Sequence, residues 1–387
     1  MNEKVLMKGN DAISEAAIRA GCSAYFGYPI TPQNEIPAYM AKHMLEKGRI
    51  FIQAESEIAA VNMVYGASCA GVRAMTSSSS PGFSLKQEGI SYAAGADVPM
   101  VLVNVVRGGP GLGSISPSQA DYFQSTRGGG HGDYYCIVLA PKSVQEAADL
   151  TYEAFDLADK YRIPVIIQAD GMIGQMVEAL VLPPEKSFSQ LPKRDWVVGN
   201  MAASGRKARH ITSIHLVPEE LEEVTRERFK RYEEIRAHET RYEYTGPGKT
   251  AQLVCGKDAF NESAFDDADI TLTAYGTSAR VCLGAKQLAE KEGIRVGLFR
   301  PVSLWPFPYK ALGFIGAGGK PILSVEMSLG QFIEDVKLSM LEIPNGVNRP
   351  DIHLLGHSGG MIPTEEEVCA EIKKICGTKD AIKEGNV

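Results

Sequence analysis

The run Met100-Val-Leu-Val-Asn-Val-Val106, closed by Arg107 and two glycines, constrains this chain more than any other stretch. A strand that is apolar on both faces must be covered on both, which is the situation of a parallel sheet between two layers of helix. Its surroundings agree. Strands fit Val5–Lys8, Ala24–Tyr28, Phe51–Gln53, Arg73–Thr76, Tyr134–Ala140 and Pro164–Gln168, and helices fit Asp11–Ala20, Ser56–Ala70, Phe83–Ala94 and Ser143–Tyr161. Alternating strands and helices predict an α/β domain whose ligands gather beyond the carboxyl ends of the strands.

A second alternating unit begins at Asp269. Strands fit Ile270–Tyr275, Val296–Phe299, Pro321–Val325 and Ile352–Leu355, with helices at Ser278–Glu292, Leu329–Leu341 and Thr364–Ile375. The reading is two parallel-sheet domains, 1–185 and a smaller 269–377, joined by a connection over 186–268 and followed by a polar, frayed tail at 378–387. The connection holds a charged helix, Leu216 to Arg236, expected to be solvated along one face. Gly246-Pro-Gly-Lys-Thr250 is no phosphate loop, because Glu243 stands where the first glycine is needed and no apolar strand precedes it.

Composition excludes more than it assigns. Hydrophobic content of 44%, charged content of 22% and a net charge of −7 suit a globular chain with no basic nucleic-acid or membrane surface. No run is long enough to span a bilayer and no apolar leader opens the sequence, so a cytoplasmic location is expected. The seven cysteines contain no C-x-x-C pair, and no metal or cluster is expected to be held by this chain alone.

Four post-strand segments carry candidate chemistry. In Gln53-Ala-Glu55-Ser-Glu57 a carboxylate enters the first turn of a helix that is apolar almost all round, so the helix is expected to be buried. The plainer reading is that Ser56 caps the helix and the acids sit in its N-terminal dipole. The sharper reading is that Glu57 exchanges a proton with a bound cofactor. Tyr28-Pro-Ile-Thr-Pro32 is either a rigid turn capped by Thr31 or an anion site. Ser77 to Ser80 are phosphate contacts or simply a polar turn. Arg107 suits a bidentate carboxylate contact or a salt bridge to Asp133. It opens a connection with eight glycines up to Asp133, in which Ser116-Pro117 reads as the start of a short helix and His131 as a structural turn residue or a proton carrier.

Together, Tyr28-Pro-Ile-Thr-Pro-Gln33, Gln53-Ala-Glu-Ser-Glu57, Thr76-Ser-Ser-Ser-Ser-Pro-Gly-Phe-Ser-Leu85, Arg107-Gly-Gly-Pro-Gly and Gly130-His-Gly-Asp133 resemble the alpha subunits of 2-oxoacid:ferredoxin oxidoreductases. Ala274-Tyr-Gly-Thr-Ser278, Phe299 to Phe307 and Glu326 to Gln331 are similar to that family's transketolase C-terminal-like domain. The resemblance covers most of the chain and implies a thiamine diphosphate enzyme whose first domain is of the pyrimidine-binding type.

On that resemblance Glu57 matches the glutamate that hydrogen-bonds the aminopyrimidine ring, with Glu55 the alternative if the register is off by two. Thr31 and Arg107 match substrate-binding positions, and Tyr28, Pro29, Ile30 and Ser79 are cofactor contacts. The Gly-Asp-Gly…Asn pattern for Mg²⁺ and diphosphate is absent, as are cluster cysteines. The resemblance therefore implies a beta subunit supplying the diphosphate end, with Mg²⁺ and [4Fe-4S] clusters in partner chains. Gamma and ferredoxin-like delta subunits, ferredoxin as acceptor and coenzyme A as co-substrate complete the set. The wording Pro110 to Gln119 and Gly128 to Asp133 is most similar to the branched-chain type acting on 3-methyl-2-oxobutanoate. The 2-oxoglutarate type, with Arg127 as a second cation, and the pyruvate type follow. A transketolase-like or lipoamide-linked dehydrogenase-like thiamine enzyme is a remoter alternative. A noncatalytic nucleotide-binding module is disfavoured, because Lys8-Gly-Asn-Asp-Ala-Ile stands where a G-x-G-x-x-G turn would be.

Overall fold

A computed structural model describes residues 4–199, 208–256 and 268–384. Two compact units divide the chain, Met1–Arg107 with Gln124–Glu234, and Gly108–Phe123 with Ile235–Val387.

The first unit contains β1 (Val5–Lys8), α1 (Gly9–Arg19), β2 (Ala24–Gly27), α2 (Glu35–Glu46), β3 (Ile50–Gln53), α3 (Glu57–Cys69), β4 (Ala74–Ser78), α4 (Ser80–Leu85), α5 (Gln87–Gly95) and β5 (Met100–Val106). After α6 (Tyr122–Thr126) come β6 (Ile137–Leu139), α7 (Val144–Tyr161), β7 (Pro164–Asp170), α8 (Gly171–Gln175), β8 (Val177–Leu180) and α9 (Pro218–His238). The strands lie side by side as β6-β7-β5-β4-β2-β3, all parallel. Every residue of β5 is buried, as a run apolar but for Asn104 requires. Ser143 caps α7 by accepting from the Glu146 amide at 3.1 Å, and Arg162 ends it at φ 50°.

Four expectations for residues up to Thr126, β1 among them, are corrected. β1 leaves the parallel sheet and pairs antiparallel with β8. The single helix read over Phe83–Ala94 is two, α4 and α5, meeting at Lys86. Ser116-Pro117 starts no helix, and the short helix begins at Tyr122. α3 is not buried all round. Ile58 is 48% exposed, and Asn62, Gly66 and Ala70 follow it along the same open stripe, so the apolar composition of α3 serves two faces, one packed and one open.

The second unit adds β9 (Arg241–Thr245), β10 (Gln252–Cys255), β11 (Ile270–Thr273), α10 (Gly276–Lys291), β12 (Val296–Pro301), β13 (Ser303–Trp305), α11 (Tyr309–Ala317), β14 (Ile322–Glu326), α12 (Phe332–Ser339), β15 (Ile352–Gly356) and α13 (Glu365–Glu384). Its sheet runs β10-β9-β12-β11-β14-β15, parallel from β12 to β15 and antiparallel at β9 and β10. Ile270, Leu272, Leu298, Leu323 and Val325 pack against Cys282, Ala285, Val368 and Ile372 in one core. β9 and β10 arise from the stretch read as a connection. β9 is buried although it carries Arg241 and Glu243, because Arg241 pairs with Glu239 at 2.9 Å and Glu243 with Arg300 at 3.0 Å. The glycine segment after Arg107 belongs to this unit, where the Ser114 hydroxyl donates to Gly359 O at 2.9 Å. α13 runs past Gly377 to Glu384, where a frayed tail was expected.

Candidate active site

The site lies at the carboxyl edge of β2, β3, β4 and β5. Ser56 holds the extended backbone of a cap and accepts from the Ala59 amide at 3.2 Å, so the plain capping reading is correct for Ser56. It does not account for Glu57, which is 6% exposed while Glu55 is exposed. The Glu57 carboxylate receives no hydrogen bond from the described residues. Gly82 of α4 is packed against it. A Cβ there would overlap both Glu57 Oε1 and Ser78 Oγ, so only glycine lets helix and carboxylate approach this closely.

Lys86 is the group that the sequence reading missed. It is fully buried, and its ammonium donates to Thr76 Oγ1 at 3.0 Å and to the Glu57 carbonyl at 3.4 Å. Burial pushes its pKa down to about 7, against the opposing attraction of Glu57. Nothing in Phe83-Ser-Leu-Lys-Gln87 announces this, since a lone Lys between two short helices reads as a surface residue.

The serine turn is strained and partly unsatisfied. Ser80 adopts φ 26°, held by its amide bond to Asn104 Oδ1 at 3.1 Å and by its hydroxyl against the Arg107 backbone. Among the described residues the hydroxyls of Ser78 and Ser79 are buried without a hydrogen-bond partner. Ser77 is spent inside the fold, linked to Tyr25 Oη at 2.6 Å and to Gln33 Oε1, while Gln33 donates to Tyr28 O at 3.2 Å.

Arg107 and Thr31 are brought together, for Arg107 Nη1 donates to Thr31 O at 2.8 Å. Thr31 itself is exposed and does not cap α2, whose N-cap is Asn34. Tyr28 and Pro29 are exposed and Ile30 half-buried on the same loop. His131 and Asp133 are exposed in the glycine turn. The edge thus presents a buried carboxylate without donors, two orphaned hydroxyls, a buried amine and an arginine-held loop.

Such an edge on such a sheet defines an α/β enzyme subunit with a ligand site at the strand ends. Residues 15–244 match the family model described as pyruvate flavodoxin/ferredoxin oxidoreductase, thiamine diP-bdg, and residues 268–368 match pyruvate:ferredoxin oxidoreductase core domain II. The chain is 46% identical to a ketoisovalerate oxidoreductase subunit VorB of Methanothermobacter marburgensis, over 96% of this chain and 98% of the relative. It is 35% identical to a 2-oxoglutarate synthase subunit KorA of the same organism, over 98% and 100%. Among solved structures, the 2-oxoglutarate:ferredoxin oxidoreductase from Magnetococcus marinus, with 2-oxoglutarate, coenzyme A and succinyl-CoA bound, superposes with a TM-score of 0.81 at 27% identity. That match covers 97% of this chain and 66% of the solved one. The chain belongs to the 2-oxoacid:ferredoxin oxidoreductase family.

Proposed function

We propose that this chain is the alpha subunit of a CoA-acylating 2-oxoacid:ferredoxin oxidoreductase, with 3-methyl-2-oxobutanoate as the favoured substrate. The reaction converts a 2-oxoacid and coenzyme A to an acyl-CoA and CO₂, and two electrons leave for ferredoxin. The observation that carries the proposal is the buried Glu57 carboxylate, to which the described residues offer no hydrogen-bond donor.

The residues present fit the pyrimidine end of thiamine diphosphate, because a donorless carboxylate and two orphaned buried hydroxyls are what a ring with nitrogens and an amino group would satisfy. Thiamine diphosphate supplies the nucleophilic carbon and the electron sink when bound. Glu57 would hold a proton at the ring nitrogen, and the Tyr28-Pro29-Ile30 turn and Ser79 would contact the ring. Thr31 and Arg107 hold the carboxylate and keto oxygen of the 2-oxoacid. The open stripe Ile58, Asn62, Gly66 and Ala70 of α3 supports a partner chain lying against this edge.

In this reading residues 1–185 form the pyrimidine-binding domain and 269–377 the transketolase C-terminal-like domain, with 186–268 between them and 378–387 as a tail. The diphosphate end, Mg²⁺ and [4Fe-4S] clusters belong to a beta subunit and its companions, with gamma and delta chains in the assembly. The location is cytoplasmic. Among the described residues no helix is long and apolar enough to cross a membrane. The substrate preference is supported by the higher identity to the ketoisovalerate subunit than to the 2-oxoglutarate subunit. An exposed Arg127 keeps 2-oxoglutarate as the second reading.

Co-purification of the native complex, followed by a 2-oxoacid panel with a viologen acceptor, tests both. Fastest turnover on 3-methyl-2-oxobutanoate is expected, and preference for 2-oxoglutarate would favour the second reading. Calorimetric titration of the isolated chain is expected to show weak or no binding of thiamine diphosphate. Tight binding without a partner would refute the shared site.

A further inference from the structure

The loop that carries Thr31 is gripped from behind. Asn10, fully buried near the start of α1, donates through Nδ2 to Pro32 O at 2.9 Å and to Glu35 Oε2 at 2.9 Å. Gln175, at the end of α8, donates through Nε2 to the same two acceptors, at 2.8 Å and 2.9 Å. Lys8 adds an ion pair to Glu35 Oε1 at 3.3 Å. Two side-chain amides from separate helices thus converge on one carbonyl and one carboxylate oxygen. Burial opposes the charge, yet Glu35 is held below the usual carboxylate range by its own backbone amide first and then by Asn10, Gln175 and Lys8.

The packing that permits the clamp is equally specific. A Cβ on Gly9 would run into the Ile173 carbonyl, and one on Gly174 would come within 2.7 Å of Asn10 Oδ1, so α1 and α8 meet through glycines on both sides. On the other side of the loop Arg107 holds the adjoining carbonyl, Thr31 O, at 2.8 Å. The peptides on both sides of Pro32 are therefore fixed by donors from α1, α8 and the end of β5. The exposed Thr31 hydroxyl accepts from Asn34 Nδ2 at 3.3 Å, on a backbone fixed by those donors.

We infer that Asn10 and Gln175 are positioning residues, which together with Glu35 fix the Pro32-Gln33 peptide, next to the Thr31-Pro32 peptide held by Arg107, so that Thr31 and Arg107 present one geometry to the substrate. The Lys8-Gly9-Asn10 turn, which is not a nucleotide loop, thereby acquires a role in the chemistry. This inference rests on the reading of Thr31 and Arg107 as substrate contacts, and its test separates the two.

In the assembled complex, Asn10→Ala and Gln175→Ala are each expected to raise KM for the 2-oxoacid about five- to tenfold, as loss of a well-formed hydrogen bond implies. KM for coenzyme A and the affinity for thiamine diphosphate are expected to stay unchanged. In a Thr31→Ala background the Gln175→Ala effect should shrink, because the part that acts through the Thr31 side chain is gone while Arg107 still holds the main-chain carbonyl. Gln175 is only half-buried, so its variant decides the matter if Asn10→Ala fails to fold. An unchanged 2-oxoacid KM in Gln175→Ala, a parallel loss in all three parameters, or full additivity with Thr31→Ala overturns the clamp alone. A Thr31→Ala complex with an unaltered 2-oxoacid KM overturns the substrate-contact reading, and the clamp with it.

Discussion

Two glutamates, one in each unit, are buried beside the start of a helix, and they are handled in opposite ways. Glu326, 0% exposed at the end of β14, accepts from the Ser328 hydroxyl and from the amides of Phe332 at 2.9 Å and Ile333 at 3.1 Å. It nails α12 to its strand, and the chain supplies its donors. Glu57 is 6% exposed, and the described residues leave its carboxylate without a donor. A buried carboxylate costs free energy unless something satisfies it. In the function proposed above, the second carboxylate is the one kept for a ligand. Burial alone therefore does not distinguish a structural acid from a functional one; the donors do.

The largest contrast should come from making the same change at both. In the assembled complex Glu57→Gln is expected to cut viologen reduction by about 100- to 10,000-fold with the complex intact, as loss of an acid–base group does. Glu326→Gln is expected to do the reverse, lowering stability by about 1–3 kcal/mol while the rate per folded complex holds. Equal losses of activity in both variants would erase the distinction.

Gly82→Ala comes next. Its methyl would overlap the Glu57 and Ser78 oxygens, and displacing a reacting group by about an ångström costs about 100-fold in rate. Steady-state assays on the purified complex check it, and full activity would show that the carboxylate does not need its seat against α4.

Lys86 extends the contrast to pH. Its pKa is about 7 in the fold against 10.5 ordinarily. Below pH 7 both folded and unfolded chains carry the proton, and burial of the charge opposes folding in full. Between pH 7 and 10.5 only the unfolded chain keeps it, so stability should climb with pH across that window. Urea midpoints measured across the range should show this climb in the parent and its loss in Lys86→Met. An identical slope in both would mean the ammonium is not the buried group that titrates.

The smallest effect belongs to Ser56→Ala, which removes a helix cap beside Glu57 without touching the carboxylate. Thermal denaturation should report a loss of about 1 kcal/mol, with activity close to that of the parent.

What the sequence displays and what it hides follow from the same physics. Met100–Val106 and Val5–Lys8 are legible to the residue because a run apolar but for one Asn, or a short one before a glycine turn, fits a strand and little else. Glu57 stands out because a charge at the head of an apolar helix is an anomaly. β9 was illegible because Arg241 and Glu243 look solvated until their ion-pair partners Glu239 and Arg300, the latter 57 residues from Glu243, are in place. The break at Lys86 and the clamp of Asn10 and Gln175 were hidden likewise. Each depends on contacts between residues distant in sequence, and no local periodicity encodes such a meeting. The open face of α3 misled in the other direction, since an apolar residue such as Ile58 reads the same whether it is exposed or bound for the core.

The role given to Glu57 is decided by the rate of hydrogen–deuterium exchange at the thiazolium C2 of thiamine diphosphate bound to the assembled complex, compared between the parent and Glu57→Gln. With Glu57 as the acid held for the cofactor ring, exchange should slow by at least about 100-fold in the variant while the cofactor stays bound. Exchange as fast as in the parent would contradict it and return Glu57 to the company of Glu326.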